Sequence, residues 1–295
     1  MRTVYLGTSE FAAGVLRALS SSRHRPALVI TRPDRPRGRG RRLASPPVAE
    51  AARELGIDLD QPKSVNDETA GARIAAAAPE AVCVCAFGAL ITEPLLSRYE
   101  ILNVHPSLLP RWRGAAPIER AIMAGDDRTG VSIMRLTAGL DSGPVCSQQE
   151  EAIEPGDSFG TLAARLEDLG SELLIDALDC RPVCCEQDDS RATYAEKLSA
   201  ADRRLHPGRP AVELERTVRA LAPHVGAAVL LPDGSRLGVW EARVVQEPGP
   251  PAGQLSLAGP LPVLGCGRGS LELVVVQPPG RRAMAGADYL RGLRR

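Results

Sequence analysis

Three polar side chains in this chain of 295 residues have the types and spacing needed for acid–base chemistry: Asn103, His105 and Asp141. Asn103 and His105 are two residues apart at the end of an apolar run, so in a strand their side chains point the same way. The imidazole can donate a hydrogen bond or move a proton near neutral pH, and the amide can donate to a developing oxyanion without carrying charge. Asp141, between Gly139 and Gly143, is the candidate partner for the second ring nitrogen of His105. The set predicts catalysis at a carbonyl carbon.

The sequence offers no strong nucleophile beside this set. Ser107 is the nearest hydroxyl, and the pattern gives it no dedicated base, so direct transfer between two bound substrates is favoured over covalent catalysis. Plainer interpretations stay open at this point. A histidine or asparagine at a strand end commonly caps a loop, and an aspartate between glycines is a usual turn residue. Residues 111–113 (Arg-Trp-Arg) would suit an exposed loop.

Short apolar runs alternate with helical patterns in the first part of the chain. Strands are predicted at 3–7, 27–31, 81–86 and 102–105. One helix is predicted after the first strand, ending at residue 19, and two more are predicted at 47–55 and 67–77. This alternation predicts an α/β fold with a Rossmann-like, doubly wound and mostly parallel sheet, whose ligands lie beyond the carboxyl ends of the strands. Asn103 and His105 fall at that edge. No Gly-x-Gly-x-x-Gly follows the first strand, so dinucleotide binding receives little weight.

The second part of the chain changes character at a polar stretch, residues 186–209. Before it lie a predicted strand (145–153) and a long helix (158–178); after it come a helix (211–221) and about five short β-type runs. Such runs between Pro and Gly turns predict a small OB-like β-barrel. We therefore expect a catalytic domain over 1–185, a linker over 186–209 and a smaller C-terminal domain over 210–295.

Composition limits the class of protein. Hydrophobic residues make up 44% and charged residues 24% of the chain, and no run of about 18 apolar residues exists to span a bilayer. The start lacks the pattern of a signal or transit peptide, so we expect a cytoplasmic protein, and a monomer. The seven cysteines lie mostly in apolar segments and are expected to be reduced, buried fillers. No metal cluster is predicted.

Basic and acidic residues balance at 36 each, yet the basic residues are clustered. Between residues 32 and 42 a single acid, Asp34, stands among six arginines: Arg32, Arg35, Arg37, Arg39, Arg41 and Arg42. Interleaved with Pro and Gly, this segment cannot pack a core and is expected to be a mobile loop. A solvated surface loop is the plain interpretation, and binding of a polyanion is the functional one.

The residues around the candidate catalytic set carry a resemblance to a known family. Segments 103–110 (Asn-Val-His-Pro-Ser-Leu-Leu-Pro), 113–118 (Arg-Gly-Ala-Ala-Pro-Ile) and 139–143 (Gly-Leu-Asp-Ser-Gly) resemble the formyltransferases that use 10-formyltetrahydrofolate. In that family the residues matching Asn103, His105 and Asp141 form the catalytic set. The folate site is matched here by Ser107, Leu108, Leu109 and Pro110. The likeness covers nearly the whole chain and implies the formyltransferase fold.

Segments 32–40, 193–198 and 277–284 are similar to the branch of the family that acts on initiator methionyl-tRNA. The resemblance implies that the α-amine of the esterified methionine attacks the formyl carbon of 10-formyltetrahydrofolate, the cosubstrate, giving N-formylmethionyl-tRNA for translation initiation. Asn103 and His105 would donate to the tetrahedral oxyanion. Asp141 would hold His105 and help move a proton from the amine to the leaving N10.

The same resemblance implies that the six arginines bind tRNA, and we expect Arg39 to be the most sensitive position. The chain from Pro210 onward carries ten basic and seven acidic residues, an excess that weakly favours a tRNA-binding surface there.

Two other functions stay open from the sequence. The same folate chemistry could serve a small acceptor, such as an amino sugar nucleotide or glycinamide ribonucleotide, which would need neither the arginines nor a basic terminal barrel. A non-catalytic RNA-binding relative is the second, and the intact set of Asn103, His105 and Asp141 argues against it.

Overall fold

In a computed structural model of the chain, residues 1–37, 42–231, 233–246 and 249–293 are described. They form two compact units. The first comprises Met1–Pro117, Thr129–Ala152 and Ala163–Ala195. The second comprises Ile118–Arg128, Ile153–Leu162 and Glu196–Arg295. Residues 186–195, within the segment predicted as a linker, thus belong to the first unit.

The described part of the chain up to residue 195 contains eleven strands, which form one mixed sheet and two two-stranded sheets, and six α-helices. The strands are β1 (Thr3–Gly7), β2 (Pro26–Ile30), β3 (Arg35–Arg37), β4 (Arg42–Ala44), β5 (Asp58–Asp60), β6 (Ala81–Cys85), β7 (Ile101–His105), β8 (Arg113–Gly114), β9 (Arg128–Arg135), β10 (Val145–Ala152) and β11 (Tyr194–Ala195). The helices are α1 (Glu10–Ser20), α2 (Pro47–Glu54), α3 (Glu68–Ala77), α4 (Leu95–Arg98), α5 (Pro117–Ala124) and α6 (Phe159–Cys180), with a 3-10 turn at Asp189–Arg191.

The main sheet of the first unit has seven strands in the order β10-β9-β7-β6-β1-β2-β5. Strands β7, β6, β1, β2 and β5 run parallel to their neighbours, and β9 is antiparallel to β7. All residues of β1, β6 and β7 are buried, as expected for central parallel strands covered on both faces. The carboxyl ends of these strands share one sheet edge, and the prediction of a Rossmann-like, mostly parallel sheet is confirmed.

Helix starts in the first unit follow from capping residues. Ser9 accepts a hydrogen bond from Ala12 N at 3.2 Å before α1, and Asp67 accepts one from Ala70 N at 2.7 Å before α3. Each cap satisfies an amide that the first turn leaves unpaired. Apolar residues of α1 are buried at helical spacing, which packs α1 onto the sheet.

The second unit contains a curled, OB-like sheet. Its elements are α7 (Ala211–Leu221), α8 (Gly286–Leu293), β12 (Arg204–Leu205), β13 (Ala227–Leu230), β14 (Arg236–Val245), β15 (Leu255–Ser256), β16 (Val263–Gly265), β17 (Ser270–Gln277) and β18 (Met284–Ala285). The strand order is β12-β13-β14-β17-β16-β15, and β18 pairs with β17. Leu214 and Val218 of α7 enter a core with Val239, Leu271 and Leu273 of the sheet. The predicted smaller C-terminal β-barrel domain is thereby confirmed.

The arginine-rich segment differs from the expected loop at both ends. Residues 35–37 and 42–44 pair as antiparallel strands β3 and β4, with Arg37 opposite Arg42. Three-residue strands are too short to give an alternation signal, which is why the sequence did not indicate them.

The prediction of reduced, buried cysteines is wrong for four of the seven. Cys146 on β10 and Cys184 form a disulfide, and Cys180 and Cys185 are exposed thiols. Val145 and Cys185 also exchange backbone hydrogen bonds, each 2.8 Å long. The disulfide therefore ties the segment after α6 to the edge strand of the sheet, a long-range pairing that sequence spacing does not reveal.

Candidate active site

Strand β7 places Asn103 and His105 at the carboxyl edge of the sheet. Asn103 lies beside Val84 of β6 and Met134 of β9, and His105 lies beside Ser132 of β9. Both side chains face the same side of β7, and the residues are only 7% and 4% exposed. The sheet therefore holds an amide and an imidazole in a nearly dry environment, where hydrogen bonds are stronger than in water.

The two ring nitrogens of His105 have different surroundings. Nε2 lies 2.9 Å from the carbonyl oxygen of Trp112. A carbonyl oxygen only accepts, so Nε2 carries the proton of this hydrogen bond. Nδ1 lies 3.7 Å from Oδ2 of Asp141. The structure thus brings His105 and Asp141 together as expected, while the Trp112 main chain orients the ring.

Asp141 is held in an unusual backbone conformation. Its φ of 45° lies in the left-handed region, where a non-glycine residue is strained. Oδ2 of Asp141 accepts a hydrogen bond from Gly114 N at 2.9 Å. A Cβ on Gly143 would come within 2.0 Å of the Arg135 carbonyl oxygen, so only glycine fits there. The turn that carries Asp141 is therefore fixed on both sides.

Trp112, whose carbonyl oxygen binds Nε2 of His105, is a second residue with a strained backbone. Trp112 has a φ of 63°, and its N donates to Oγ1 of Thr193 at 2.9 Å. Arg113 N donates to Thr193 O at 2.9 Å, and β8 continues by pairing with β11. Residues 193–195 thus set the position of the peptide that orients His105.

The four predicted folate residues form a tight loop after β7. Ser107 and Leu109 are buried, whereas Leu108 and Pro110 are partly exposed. Oγ of Ser107 donates to Arg111 O at 2.7 Å, and Leu109 N donates to Oγ of Ser132 at 3.1 Å. The Ser107 hydroxyl therefore shapes the loop from inside.

Neighbouring thiols are not activated. Burial raises the pKa of Cys83 and of Cys85, both on β6, to about 12. A thiol with so high a pKa is a poor nucleophile near neutral pH, because the thiolate is the reactive form. With the Ser107 hydroxyl occupied, this arrangement favours direct transfer over covalent catalysis.

A cavity of about 390 Å³ opens at the carboxyl ends of β1, β2 and β6. Its wall is made of Thr8, Ser9, Arg32, Pro33, Arg35, Pro36, Ala44, Ser45, Pro46, Pro47, Ala86, Phe87 and Gly88. Nη1 of Arg32 donates to Gly88 O at 3.1 Å, and its buried Nε has no hydrogen-bond partner among the described residues. The cavity lies at the sheet edge where doubly wound folds bind ligands.

Two of the six predicted tRNA-binding arginines, Arg32 and Arg35, therefore line this cavity. Arg37 and Arg42 are placed by their main chains in β3 and β4. Arg39 and Arg41 lie outside the described residues. Asp34, the one acid of this segment, accepts hydrogen bonds from Gln61 and Ser45, and the Gln61 bond is the main cause of its lowered pKa.

Sequence reasoning missed several residues that support the site. Gln187 contacts the Asp141 turn, and Arg113, Gly114 and Thr193 hold the two loops around His105. Residues 186–209 looked like a polar linker, and polar side chains that bond across long sequence distances leave no periodic signal. Segments 113–118 and 193–198, which carry the family resemblance, contain three of these four residues.

Within the described residues, no group of three or more His, Cys, Asp or Glu side chains could hold a metal ion. No helix in the described part of the chain is long and apolar enough to cross a membrane.

Comparison with known proteins assigns both halves of the chain. The formyl transferase family matches residues 1–178, and the formyl transferase C-terminal domain matches residues 197–294. The methionyl-tRNA formyltransferase of Methylococcus capsulatus is 42% identical over 297 residues, covering 98% of this chain and 96% of the relative. That of Cereibacter sphaeroides is 40% identical over 296 residues, covering 99% and 96%.

Among solved structures, HypX from Aquifex aeolicus in complex with tetrahydrofolic acid superposes with a TM-score of 0.69 at 16% identity. The match covers 98% of this chain and 47% of HypX, so the chain spans about half of that protein. At this identity the likeness concerns the fold alone. Two family matches that cover most of the chain, and relatives at 40–42% identity over nearly its full length, lead to one conclusion: the chain belongs to the formyl transferase family.

Proposed function

We propose that this protein transfers the formyl group of 10-formyltetrahydrofolate to the α-amine of methionine on initiator methionyl-tRNA. The product is N-formylmethionyl-tRNA, which is used in translation initiation. The observation that carries the proposal is the 40–42% identity to methionyl-tRNA formyltransferases, which extends through both units. Such an enzyme works in the cytoplasm, where we place this protein.

Three side chains would perform the transfer. The amine nitrogen bonds to the formyl carbon, giving a tetrahedral oxyanion, and the bond from that carbon to N10 then breaks. Asn103 would donate to the oxyanion. His105 would also donate to it, through Nδ1 after that atom has taken a proton from the amine, because Nε2 is already bound to Trp112 O. Asp141, 3.7 Å from Nδ1, would stabilise the protonated ring while the amine proton passes to N10, directly or through water.

The loop of residues 107–110 would form part of the donor site. The buried bonds of Ser107 and Leu109 fix the loop, and the partly exposed Leu108 and Pro110 are the side chains able to meet a ligand. This supports an apolar wall for 10-formyltetrahydrofolate, which supplies the formyl carbon. The chemistry assigned to the three polar residues needs no metal.

The arginine segment supports a polyanionic acceptor. Arg32 and Arg35 line the cavity at the sheet edge. Guanidinium groups neutralise phosphates and give binding that weakens with salt. We assign the binding of tRNA phosphates also to Arg37, Arg39, Arg41 and Arg42. Catalysis is assigned to the first unit. The basic excess from Pro210 onward would add tRNA-binding surface on the second unit.

One assay tests the proposed acceptor. Purified protein receives 10-formyltetrahydrofolate with charged initiator tRNA, free methionine or an amino sugar nucleotide, and the formylated products are separated. We expect transfer to the charged tRNA only. Transfer to the sugar nucleotide or to free methionine in preference to the charged tRNA would overturn the proposal, and no transfer to any acceptor would favour a non-catalytic relative.

A further inference from the structure

The side-chain amide of Gln187 is bound entirely to the turn that carries Asp141 and to one buried arginine. Nε2 of Gln187 donates to Asp141 O at 2.8 Å and to Gly143 O at 2.7 Å. An amide nitrogen has two hydrogens, so both are used on this one turn. Gln187 is 46 residues from Asp141 in the sequence, so this contact exists only in the folded unit.

The other end of the same amide is fixed as well. Oε1 of Gln187 accepts from Nε of Arg113 at 3.0 Å, and Nη2 of Arg113 pairs with Oδ1 of Asp189 at 2.7 Å. Arg113 is only 4% exposed, so its orientation is set by packing. The next residue, Gly114, donates its N–H to Oδ2 of Asp141. Gln187 therefore holds the main chain of Asp141, and Gly114 holds its carboxylate.

The backbone of Asp141 needs such support. A non-glycine residue at a φ of 45° persists only when its surroundings over-determine the conformation. Without the two N–H donors of Gln187, the turn could relax toward an unstrained conformation and carry the carboxylate away from His105.

We propose that Gln187 is a positioning residue: it holds the Asp141 turn so that the carboxylate faces Nδ1 of His105 during transfer. This inference rests on the proposed function, because it requires that Asp141 takes part in formyl transfer. It adds a residue of the predicted linker to the machinery, through contacts that lie wholly within the first unit.

Two substitutions separate positioning from general support. Gln187→Ala removes every contact of the amide. Gln187→Glu keeps an oxygen acceptor for Arg113 but loses both N–H donors and sets a carboxylate against two carbonyl oxygens. If Gln187 serves only to satisfy Arg113, Gln187→Glu behaves like the wild type. If Gln187 positions Asp141, both variants are slow. Gln149→Ala, an exposed glutamine of β10, is the matched control.

The experiment measures kcat and KM for formylation of charged initiator tRNA, the urea unfolding midpoint, and hydrogen exchange of the Gly114 amide by NMR. We expect kcat to fall by about 10- to 100-fold in both variants, because displacement by about an ångström costs that much, with both KM values within about twofold. We also expect the Gly114 amide to exchange faster, since it donates to the Asp141 carboxylate, and the control to match the wild type.

A Gln187→Glu variant with wild-type kcat, or unchanged Gly114 exchange in both variants, would overturn the proposal. If the wild-type protein itself transfers no formyl group to charged tRNA, the proposed function fails, and the exchange measurement alone decides whether Gln187 holds Asp141. Where Gln187→Ala unfolds, Gln187→Glu supplies the result, because it retains the bond to Arg113.

Discussion

Nδ1 of His105 lies 3.7 Å from Oδ2 of Asp141, while the opposite nitrogen of the same ring donates to the carbonyl of Trp112 at 2.9 Å. The imidazole is therefore oriented by a main-chain carbonyl, and the carboxylate and the free ring nitrogen face one common space. That space can hold a proton in transit. From the sequence we expected Asp141 to orient the ring; in the structure the carbonyl of Trp112 binds Nε2, and the Asp141 carboxylate lies farther away, beside Nδ1.

Replacing Asp141 with Asn separates its charge from its shape. The amide oxygen can still accept from Gly114 N, so the turn is kept, but the negative charge near Nδ1 is lost. We expect kcat for formylation to fall by about 10² with little change in KM, as for other groups that act mainly in the transition state. Steady-state kinetics with charged tRNA measures this, and Ser142→Ala in the same turn is the control. An Asp141→Asn enzyme with wild-type kcat would show that the carboxylate charge is not used.

Removing Arg39 tests the arginine segment without touching the catalytic set. The loss of one phosphate contact is expected to weaken tRNA binding and to reduce the slope of log affinity against log salt by about one. Filter binding or fluorescence anisotropy at several salt concentrations measures both quantities. Arg98→Ala, an exposed arginine of α4 before the amino end of β7, serves as the control. Unchanged affinity and slope in Arg39→Ala would mean that the segment has another purpose.

The cysteines should react in two classes in the oxidised protein. An alkylating reagent is expected to label the exposed Cys180 and Cys185, and to spare Cys83 and Cys85 because burial raises their pKa to about 12. Cys146 and Cys184 should become reactive only after reduction. Peptide mapping by mass spectrometry identifies the labelled sites, and labelling of Cys146 before reduction would contradict the disulfide. Since the bond closes a loop of 38 residues, reduction should lower the free energy of unfolding by about 2 to 4 kcal/mol.

The carboxylate of Asp202 makes the stability of the second unit depend on pH. The hydrogen bond from Arg120, and then those from Ser199, hold the pKa of Asp202 well below its usual value of 3.8. Because the folded-state pKa is depressed, the stabilisation is present above pH 3.8 and is lost as the pH falls below it. As the pH is lowered from about 6 to about 3, the Asp202→Asn variant should therefore lose less free energy of unfolding than the wild type. Urea midpoints at several pH values measure this, with Asp176→Asn on α6 as control, and parallel curves for wild type and Asp202→Asn would contradict the assignment.

Continuous hydrophobic runs and helical periodicity made much of the fold predictable. Strand β6 was expected over 81–86 and spans Ala81–Cys85, and α7 begins and ends where expected, at Ala211 and Leu221. Short or isolated elements were missed. The pairing of β8 with β11 joins two residues on each strand, and so short a segment has no periodicity to detect.

The candidate site was predictable in its residue types and less so in its geometry. The two-residue spacing of Asn103 and His105 follows from strand alternation alone, and the structure places both on β7. The contact of His105 with Trp112, and that of Gln187 with Asp141, depend on left-handed backbone conformations and on distant polar partners. Neither feature is encoded in local propensity. The catalytic and binding roles of the predicted residues stay predictions.

The most direct test of the proposed catalytic site is a single-turnover measurement of formyl transfer to charged initiator tRNA by the wild type, Asn103→Ala and His105→Ala. Loss of one oxyanion donor typically costs about 10² to 10³ in rate, and we expect a drop of that size in each variant. Circular dichroism and the unfolding midpoint would confirm that both variants fold. Near-normal turnover in either folded variant would contradict the assignment of this site.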